Sequence, residues 1–225
     1  MHVVAIIPAR EGSKQLPRKN LLRLLGEPLI VHTIRAALAA ERVDRVIVST
    51  DSDEIADVAR TAGAEVVLRP RDLAADDSPT EDALLHVLSV LDPSPDYVVT
   101  LEPTSPLRTP GLIDACVERA LDTKADAVIT VAESRESWGR LDDGIFQHLR
   151  PGEPRRRQLR EPLYREASTV YVTSADHLRR AKSVIARPLY AVIVPEEEAV
   201  DINSSVDFVV AEALMRHRER GHDGS

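Results

Sequence analysis

Short apolar runs alternate with longer amphipathic stretches along most of this chain. The runs, rich in Val and Ile, are residues 3–7, 45–50, 65–68, 97–101, 127–132, 169–173 and 190–194. Continuous β-branched runs of this length are typical of strands that are buried on both faces of a sheet. The pattern therefore predicts strands of a mostly parallel sheet.

Helical patterns lie between the runs. Stretches beginning at Pro28, Asp53 and Thr80 open with proline or with acidic residues, and a last helix is expected from Ser205 to Arg218. Alternating strands and helices indicate βαβ units, which place helices on both faces of a parallel sheet. We predict an α/β fold, a three-layer sandwich, formed as a single domain over residues 1–225.

Residues 133–166 interrupt this alternation. They contain Trp138, the turn sequence LDDG and the charged run RPGEPRRRQLREP. Such an insertion is either a solvated surface excursion or an arm that contacts a second subunit and closes over a substrate. Both interpretations stay open at this point.

Composition and charge exclude several classes of protein. No run approaches the roughly 18 apolar residues that span a bilayer, and the N-terminus passes directly from a short strand to charged residues, so a cytoplasmic protein is expected. The net charge of -8 argues against binding to nucleic acid or to an anionic membrane. The single cysteine, Cys116, is expected to be a buried structural thiol.

A basic loop, PAREGSKQLPRKN, follows the first strand. Its basic residues are Arg10, Lys14, Arg18 and Lys19. Ligands of open α/β sheets bind at the carboxyl ends of the strands, and a triphosphate carries about four negative charges at neutral pH. The second glycine and the Lys-Ser/Thr pair of a Walker A loop are missing, and the single glycine is too few for a dinucleotide fingerprint. The loop therefore predicts an anion site of another kind, with an unspecialised surface loop as the alternative.

The stretch IIPAREGSKQLPRKN resembles the opening motif of the CMP-sialic acid synthetases, also called acylneuraminate cytidylyltransferases. The resemblance continues through STDSDEIADVA, LRPRDLAADDSPT, LEPTSPLR, YREASTVYVT and DIN. It implies a Rossmann-like nucleotidyltransferase fold that works as a homodimer, with the insertion at about 133–166 as the dimerisation element. It also implies an Mg²⁺-dependent enzyme that transfers CMP from CTP to a small acidic acceptor and releases pyrophosphate.

The same resemblance implies which residues bind the nucleotide. They are Ala9, Arg10, Gly12, Ser13, Lys14, Lys19, Asn20, Arg69 and Ser78. Arg10, Ser13 and Lys14 correspond to the residues that bind the triphosphate, and Lys19 and Asn20 to those near phosphate and ribose. Arg69 and Ser78 correspond to the pair that reads the cytosine, whose O2 and N3 acceptors suit a guanidinium.

The resemblance further implies acceptor, catalytic and metal residues. The acceptor residues are Glu102, Thr104, Ser105, Arg108, Tyr164 and Arg165, and the catalytic residues are Arg10, Lys14 and Asp201. Asp201 resembles the first of two aspartates that hold Mg²⁺, a cation that prefers oxygen ligands, and Asn203 stands at the second position. Alternatively, Thr104 and Ser105 belong to a simple turn, and Ser204 with Asp207 forms a capping box for the last helix.

The departures from the family lie on the acceptor side. Glu102 stands where Gln is usual, Ala167 and Ser168 replace Asn-Gly, and the stretch AKSVIARP lacks an expected pair of phenylalanines. The acceptor is therefore expected to be a nonulosonic or ulosonic acid or a phosphonate such as phosphonoformate, with N-acetylneuraminate at best a modest substrate. Basic residues of the insertion are candidates for binding an anionic acceptor: Arg155, Arg156, Arg157, Arg160 and Arg165. The alternative function is a non-catalytic nucleotide-binding regulatory domain, favoured by the missing second metal carboxylate.

Overall fold

A computed structural model describes residues 1–12, 16–75 and 77–222 of the chain. The helices are α1 (Leu29–Leu38), α2 (Asp53–Thr61), α3 (Thr80–Val90), α4 (Pro110–Thr123), α5 (Ala175–Ala181) and α6 (Ser205–His222). The strands are β1 (Val3–Pro8), β2 (Arg23–Leu24), β3 (Glu27–Pro28), β4 (Arg45–Thr50), β5 (Glu65–Leu68), β6 (Tyr97–Thr100), β7 (Ala127–Ser134), β8 (Gly139–Asp142), β9 (Ile145–His148), β10 (Leu163–Ser174) and β11 (Tyr190–Val194).

The central sheet has seven strands in the order β11-β7-β10-β6-β1-β4-β5. Within it, β10 runs antiparallel to both of its neighbours, β6 and β7, whereas the other pairs of adjacent strands are parallel. The mostly parallel sheet expected from the sequence is therefore confirmed. β10 begins well before the predicted residue 169, and its register with β7 shifts at a bulge between Ala167 and Tyr171.

Alternate residues of β1 face opposite layers of helices. Val3, Ala5 and Ile7 pack in a cluster with α1, α2 and α4, whereas Val4 and Ile6 pack in a second cluster with α3 and α5. All five side chains are at most 2% exposed. The predicted three-layer α/β sandwich is confirmed, because both faces of the sheet are covered by helices.

Helix α4 is the main element that the periodicity did not reveal. It begins after Thr109, whose hydroxyl accepts a hydrogen bond from the backbone N-H of Leu112 at 3.3 Å, and it has Pro110 in its first turn. Cys116 lies on its buried face, and burial raises the pKa of the thiol to about 12. The expectation of a structural cysteine is confirmed.

The insertion contains a hairpin, β8 and β9, that forms a two-stranded sheet of its own. A Cβ atom added at Gly139 would lie 2.6 Å from the backbone oxygen of Gln147, so glycine permits the close approach of the two strands here. Trp138, Leu141 and Phe146 are exposed on and beside this hairpin. The hairpin therefore carries an uncovered apolar surface.

Helix α6 fixes the segment that precedes it against the loop after β6. Ile202 is buried with Leu24, Leu107 and Ala211 in a third apolar cluster. Its backbone N-H donates a hydrogen bond to the carbonyl of Thr104 at 2.8 Å. Residues on either side of Ile202 are thereby held at the carboxyl end of the sheet.

Candidate active site

Two adjoining cavities open at the carboxyl ends of the parallel strands. The small cavity, of about 180 Å³, has Arg10, Arg69 and Ser78 in its lining. The large cavity, of about 410 Å³, has Lys19 and Asp201 in its lining. Thr80 and Glu102 line both cavities. The two cavities therefore meet at these shared residues.

The small cavity brings together the two residues that were assigned to cytosine. Arg69 follows β5, its backbone N-H donates to the carbonyl of Thr50 at 2.8 Å, and its side chain is 8% exposed. Burial lowers the pKa of Arg69, and its Nε has no hydrogen-bond partner among the described residues. Ser78 donates to the carbonyl of Asp72 at 3.0 Å. A buried guanidinium N-H without a partner is suited to binding a planar acceptor.

The basic loop is anchored to the sheet at both ends. The backbone N-H of the buried Ala9 donates to the carbonyl of Ser49 at 2.9 Å. The amide of Asn20 donates to the carbonyl of Arg10 at 2.9 Å, and Nη1 of Arg10 donates to the carbonyl of Ala75 at the same distance. These bonds hold the Arg10 side chain at the rim of the small cavity.

The residues of this loop that were predicted to bind phosphate do not all lie at the cavities. Gly12 is exposed, and Ser13 and Lys14 lie outside the described residues. Arg18, which the sequence analysis counted among the basic residues, forms an ion pair with Glu54. Lys19 lines the large cavity, where its Nζ donates to the carbonyl of Ile202 at 3.1 Å and reaches Oδ1 of Asn203 at 3.5 Å. Burial lowers the pKa of Lys19, opposed by the charge of Asp201.

The two predicted metal residues are joined by a hydrogen bond. Nδ2 of Asn203 donates to Oδ2 of Asp201 at 2.7 Å. Oδ1 of Asp201 is buried and has no hydrogen-bond partner among the described residues. One free carboxylate oxygen suits a hard cation. Across the described ranges, no three His, Cys, Asp or Glu residues converge on a point that could hold a metal. A cation here would therefore need further oxygen ligands from a bound substrate.

The capping interaction proposed for the last helix is also present. Oδ2 of Asp207 accepts hydrogen bonds from the backbone N-H groups of Asn203 and Ser204 at 3.0 and 2.7 Å. The hydroxyl of Ser204 also donates to this oxygen at 2.8 Å, and it is the main reason for the lowered pKa of Asp207. The cap and the cavity thus use neighbouring residues without competing, because Asp201 contributes nothing to the cap.

Glu102 lies at the junction of the cavities, directly after β6. Burial raises the pKa of its carboxyl to about 7, and the nearby charge of Asp201 adds to this effect. Arg108, Lys19 and Arg69 act in the opposite direction. The junction therefore holds a carboxyl group whose charge is only partly compensated.

The remaining residues of the loop after β6 differ in their access to the cleft. Thr104 lines the large cavity. The hydroxyl of the buried Ser105 donates to the carbonyl of Ser168 at 3.3 Å. Arg108 is 4% exposed and donates to the carbonyls of Thr169 and Glu102 and to the hydroxyl of Thr33. Burial lowers the pKa of Arg108 to about 10. Ser105 and Arg108 therefore hold the loop in place from beneath the cavity.

Two further predicted acceptor residues lie at the start of β10. Tyr164 is exposed, and Nη2 of Arg165 donates to the carbonyl of Ala199 at 3.4 Å. Neither residue is part of the lining of the two cavities. Arg155 and Arg160 of the insertion line a separate cavity within it. In the described part of one chain, these arginines are not brought to the cleft.

The lining of the large cavity includes residues that were not among the predicted site residues. They are Glu81, Thr100, Glu166, Tyr171, Val184 and Ile185. Ser168, noted only as a departure from the family, lines the cavity as well. Val184 and Ile185 belong to the segment AKSVIARP, which the resemblance places on the acceptor side. That resemblance was the only sequence feature that pointed to these two residues. The bulge in β10 could not be read from the alternation of residues, because it breaks that alternation.

The sequence is similar to those of several known proteins. A family model described as cytidylyltransferase matches residues 4–195. The chain is 35% identical over 224 residues to CMP-N,N'-diacetyllegionaminic acid synthase of Legionella pneumophila, covering 96% of this chain and 97% of that protein. It is 32% identical over 225 residues to the N-acylneuraminate cytidylyltransferase of Escherichia coli, covering 97% of this chain but 53% of that protein. The chain thus spans about half the length of the latter relative.

Solved structures show the same fold. CMP:2-keto-3-deoxy-manno-octonic acid synthetase complexed with CTP has a TM-score of 0.74 at 18% identity, covering 97% of this chain and 100% of that one. The 4-diphosphocytidyl-2C-methyl-D-erythritol synthase of Anaerococcus prevotii has a TM-score of 0.68 at 17% identity, covering 96% of each chain. The helices in the described ranges include none that is long and apolar enough to cross a membrane. On the family model and the sequence relatives together, the chain belongs to the cytidylyltransferase family of CTP-dependent nucleotidyltransferases.

Proposed function

We propose that the chain transfers CMP from CTP to a nonulosonic acid and releases pyrophosphate. The proposal rests on one observation: the two cavities share the lining residues Thr80 and Glu102. The small cavity holds the residues suited to cytosine, and the large cavity is spacious enough for a sugar acid. Relatives named for legionaminic and acylneuraminic acid support this class of acceptor.

The proposed reaction is an in-line displacement. A hydroxyl oxygen of the acceptor attacks the α-phosphorus of CTP, and the bond from that phosphorus to the pyrophosphate oxygen breaks. The hydroxyl proton leaves the acceptor, and Asp201 is the candidate group to receive it. Arg10 and Lys14 are proposed to neutralise charge on the phosphates. Positioning and charge neutralisation supply most of the rate in reactions of this type.

Asp201 and Asn203 are proposed to hold Mg²⁺. The buried, unpartnered Oδ1 of Asp201 fits a cation. The amide nitrogen of Asn203 donates to Oδ2 of Asp201, and its amide oxygen, an uncharged donor, lies 3.5 Å from Nζ of Lys19. When bound, the cation would offset negative charge on the phosphates. Because Asn203 adds no charge, binding of the cation is expected to depend strongly on the phosphates of CTP.

The side chains that line the large cavity support a more specific proposal for the acceptor. Val184 and Ile185 present aliphatic side chains there, and Glu102 presents a carboxyl. This wall differs from the aromatic and amide groups expected of a sialic acid synthetase, and we therefore propose a nonulosonic acid other than N-acetylneuraminate. A phosphonate such as phosphonoformate is the alternative acceptor that a screen should include.

We further propose that the chain works as a homodimer through its insertion. The insertion exposes Trp138, Leu141, Ile145 and Phe146, and these side chains are between 50% and 73% exposed. Apolar side chains grouped on one small hairpin are typical of a protein interface.

The first test is nucleotide selectivity followed by acceptor selectivity. Thermal-shift measurements should show that CTP stabilises the protein more than ATP, GTP or UTP does, because only a ligand of the folded state raises the melting temperature. With CTP present, pyrophosphate release should depend on the acceptor, and kcat/KM should be higher for a legionaminic acid than for N-acetylneuraminate, 3-deoxy-octulosonate or phosphonoformate. Equal stabilisation by all four nucleotides would contradict the assignment of the base cavity.

A non-catalytic nucleotide-binding role is the second candidate. Asn203 favours it, since it supplies no second carboxylate next to Asp201. CTP binding without pyrophosphate release for any acceptor in the same screen would support that role over catalysis.

A further inference from the structure

The large cavity is strongly acidic. Among the residues that the structure describes, its lining includes four acidic side chains, Glu81, Glu102, Glu166 and Asp201, and one ammonium, Lys19. Nζ of Lys19 already donates to the carbonyl of Ile202 at 3.1 Å. Such a lining would favour an acceptor that carries a cationic group beside its own carboxylate.

The carboxylates are spread along the cavity wall. No three acidic or other metal-binding side chains within the described ranges converge on one point. Glu102 lines both cavities, whereas Glu166 lines the large cavity but not the small one. This distribution fits an organic ligand with separate donor groups better than a single metal ion.

An unpartnered buried hydroxyl also points to a polar ligand. Thr100 is 2% exposed and lines the large cavity, and its Oγ1 has no hydrogen-bond partner among the described residues. Buried polar groups are almost always hydrogen-bonded in a functioning protein. A ligand that reaches the floor of this cavity would supply the missing partner.

Glu166 is held in place by its neighbours on β10. The hydroxyl of Tyr171 donates to Oε1 of Glu166 at 2.7 Å. The bulge that brings these two residues together is fixed by Thr130, whose Oγ1 accepts from the backbone N-H of Val170 at 3.1 Å. The second oxygen of Glu166 receives no hydrogen bond from any residue that the structure describes. Val184 and Ile185 add an aliphatic surface to the same cavity.

We propose that the acceptor carries a protonated nitrogen substituent, an amine or an amidine, that forms an ion pair with Glu166 in the large cavity. This inference rests on the proposed CMP transfer and specifies the acceptor further. An amidinium presents two N-H donors in one plane, a geometry that suits a carboxylate, and its methyl group suits the aliphatic wall. Glu166 is exposed, and a neutral acetamido group would offer its carboxylate no opposite charge.

The test uses acceptors that differ in charge but hardly in shape. A diacetamido nonulosonic acid is compared with two derivatives in which one or the other acetamido group is replaced by an acetamidino group. We expect one amidine to exceed the parent in kcat/KM by about tenfold or more. Glu166→Gln should remove most of this preference, mainly through a higher KM for the amidine. Glu161→Gln, an exposed carboxylate outside the lining of both cavities, should keep it.

The thermal shift produced by CTP should be the same in the wild type and in both variants, because Glu166 lies outside the small cavity. Equal use of the parent and both amidines by the wild type would overturn the inference, as would an amidine preference that survives in Glu166→Gln. Failure of every sugar acid to accept CMP would contradict the proposed function instead, whatever the charge on the acceptor.

Discussion

At the scale of single residues, the cleft is marked by buried polar atoms that lack partners among the described residues. Nε of Arg69, Oγ1 of Thr100 and Oδ1 of Asp201 all belong to this group. Each atom is costly to bury unless a ligand pairs with it. We propose that substrate and cation bind at these atoms.

Glu102→Gln is predicted to change how stability depends on pH. Burial raises the folded-state pKa of Glu102 to about 7 from an ordinary value of 4.5. The folded state therefore binds this proton more tightly than the unfolded state, so the contribution of Glu102 to stability falls as pH rises between these two values. The glutamine variant should be more stable than the wild type above pH 7, by up to about 3 kcal/mol, and the gap should close toward pH 4. Urea unfolding of both proteins without ligands across this range measures the effect. A gap independent of pH would contradict the assignment.

Asp201→Ala is predicted to be more damaging than Asn203→Ala. The first change removes a charged oxygen that is free to bind a cation, and the second removes an uncharged neighbour. We expect roughly a hundredfold loss of kcat for Asp201→Ala and less than about tenfold for Asn203→Ala. Rates across a Mg²⁺ titration, with calorimetry of Mg²⁺·CTP binding, would check this. Equal losses, or unchanged wild-type rates in excess chelator, would exclude the proposed metal site.

Sequence alone identified several of these residues, for reasons that differ between them. Arg69 and Asp201 lie in motifs that resemble a known family, so both were predicted to bind ligands. Thr100 was missed, because a threonine at the end of an apolar run is indistinguishable from an ordinary strand residue. Glu166 was missed as well, since its position depends on a bulge.

At the scale of elements, the structure confirms the strands that periodicity predicted and corrects others. β1, β4 and β6 are continuous β-branched runs, and such runs are recognisable because both of their faces are buried. The first half of β10 has exposed, charged side chains, and so the sequence placed it in the insertion. Its antiparallel direction is a property of the chain path, which periodicity does not encode.

Arg108→Ala is predicted to destabilise the fold rather than simply to weaken acceptor binding. The buried guanidinium donates to two backbone carbonyls and to a hydroxyl, and its loss would leave these groups unpaired beside Glu102. We expect a loss of about 3–5 kcal/mol in the free energy of unfolding. Arg165→Ala, which removes an exposed arginine, serves as the control and should cost under about 0.5 kcal/mol. Similar stability of the two variants in urea unfolding would show that Arg108 does not hold the loop.

At the scale of the whole molecule, parallel connections assemble one cleft from distant parts of the chain. Arg10, Arg69 and Glu102 follow β1, β5 and β6, and all three strands end at the same edge of the sheet. This convergence was predictable from the alternation of strands and helices. The position of the arginines of the insertion was not, because the insertion does not follow this alternation; Arg155 and Arg160 line a separate cavity.

Replacing Trp138, Leu141 and Phe146 by serine is predicted to separate a dimer into monomers. These side chains are exposed in one chain, so their removal should leave the monomer fold intact. Sedimentation analysis should show a dimer for the wild type and a monomer for the variant, with the same circular dichroism. As a control, exposed Val206 and Val209 on α6 can be replaced by serine, which should not change the assembly. A monomeric wild type would contradict the proposed interface.

Transfer of CMP to a sugar acid can be followed at the phosphorus atoms during the reaction. The protein is incubated with CTP, Mg²⁺ and a legionaminic acid, and the products are observed by ³¹P nuclear magnetic resonance. We expect the three resonances of CTP to be replaced by one phosphodiester resonance, from CMP joined to the sugar acid, and by that of pyrophosphate. Resonances of CDP and inorganic phosphate instead, or unchanged CTP with every sugar acid tried, would contradict the proposed transfer of CMP.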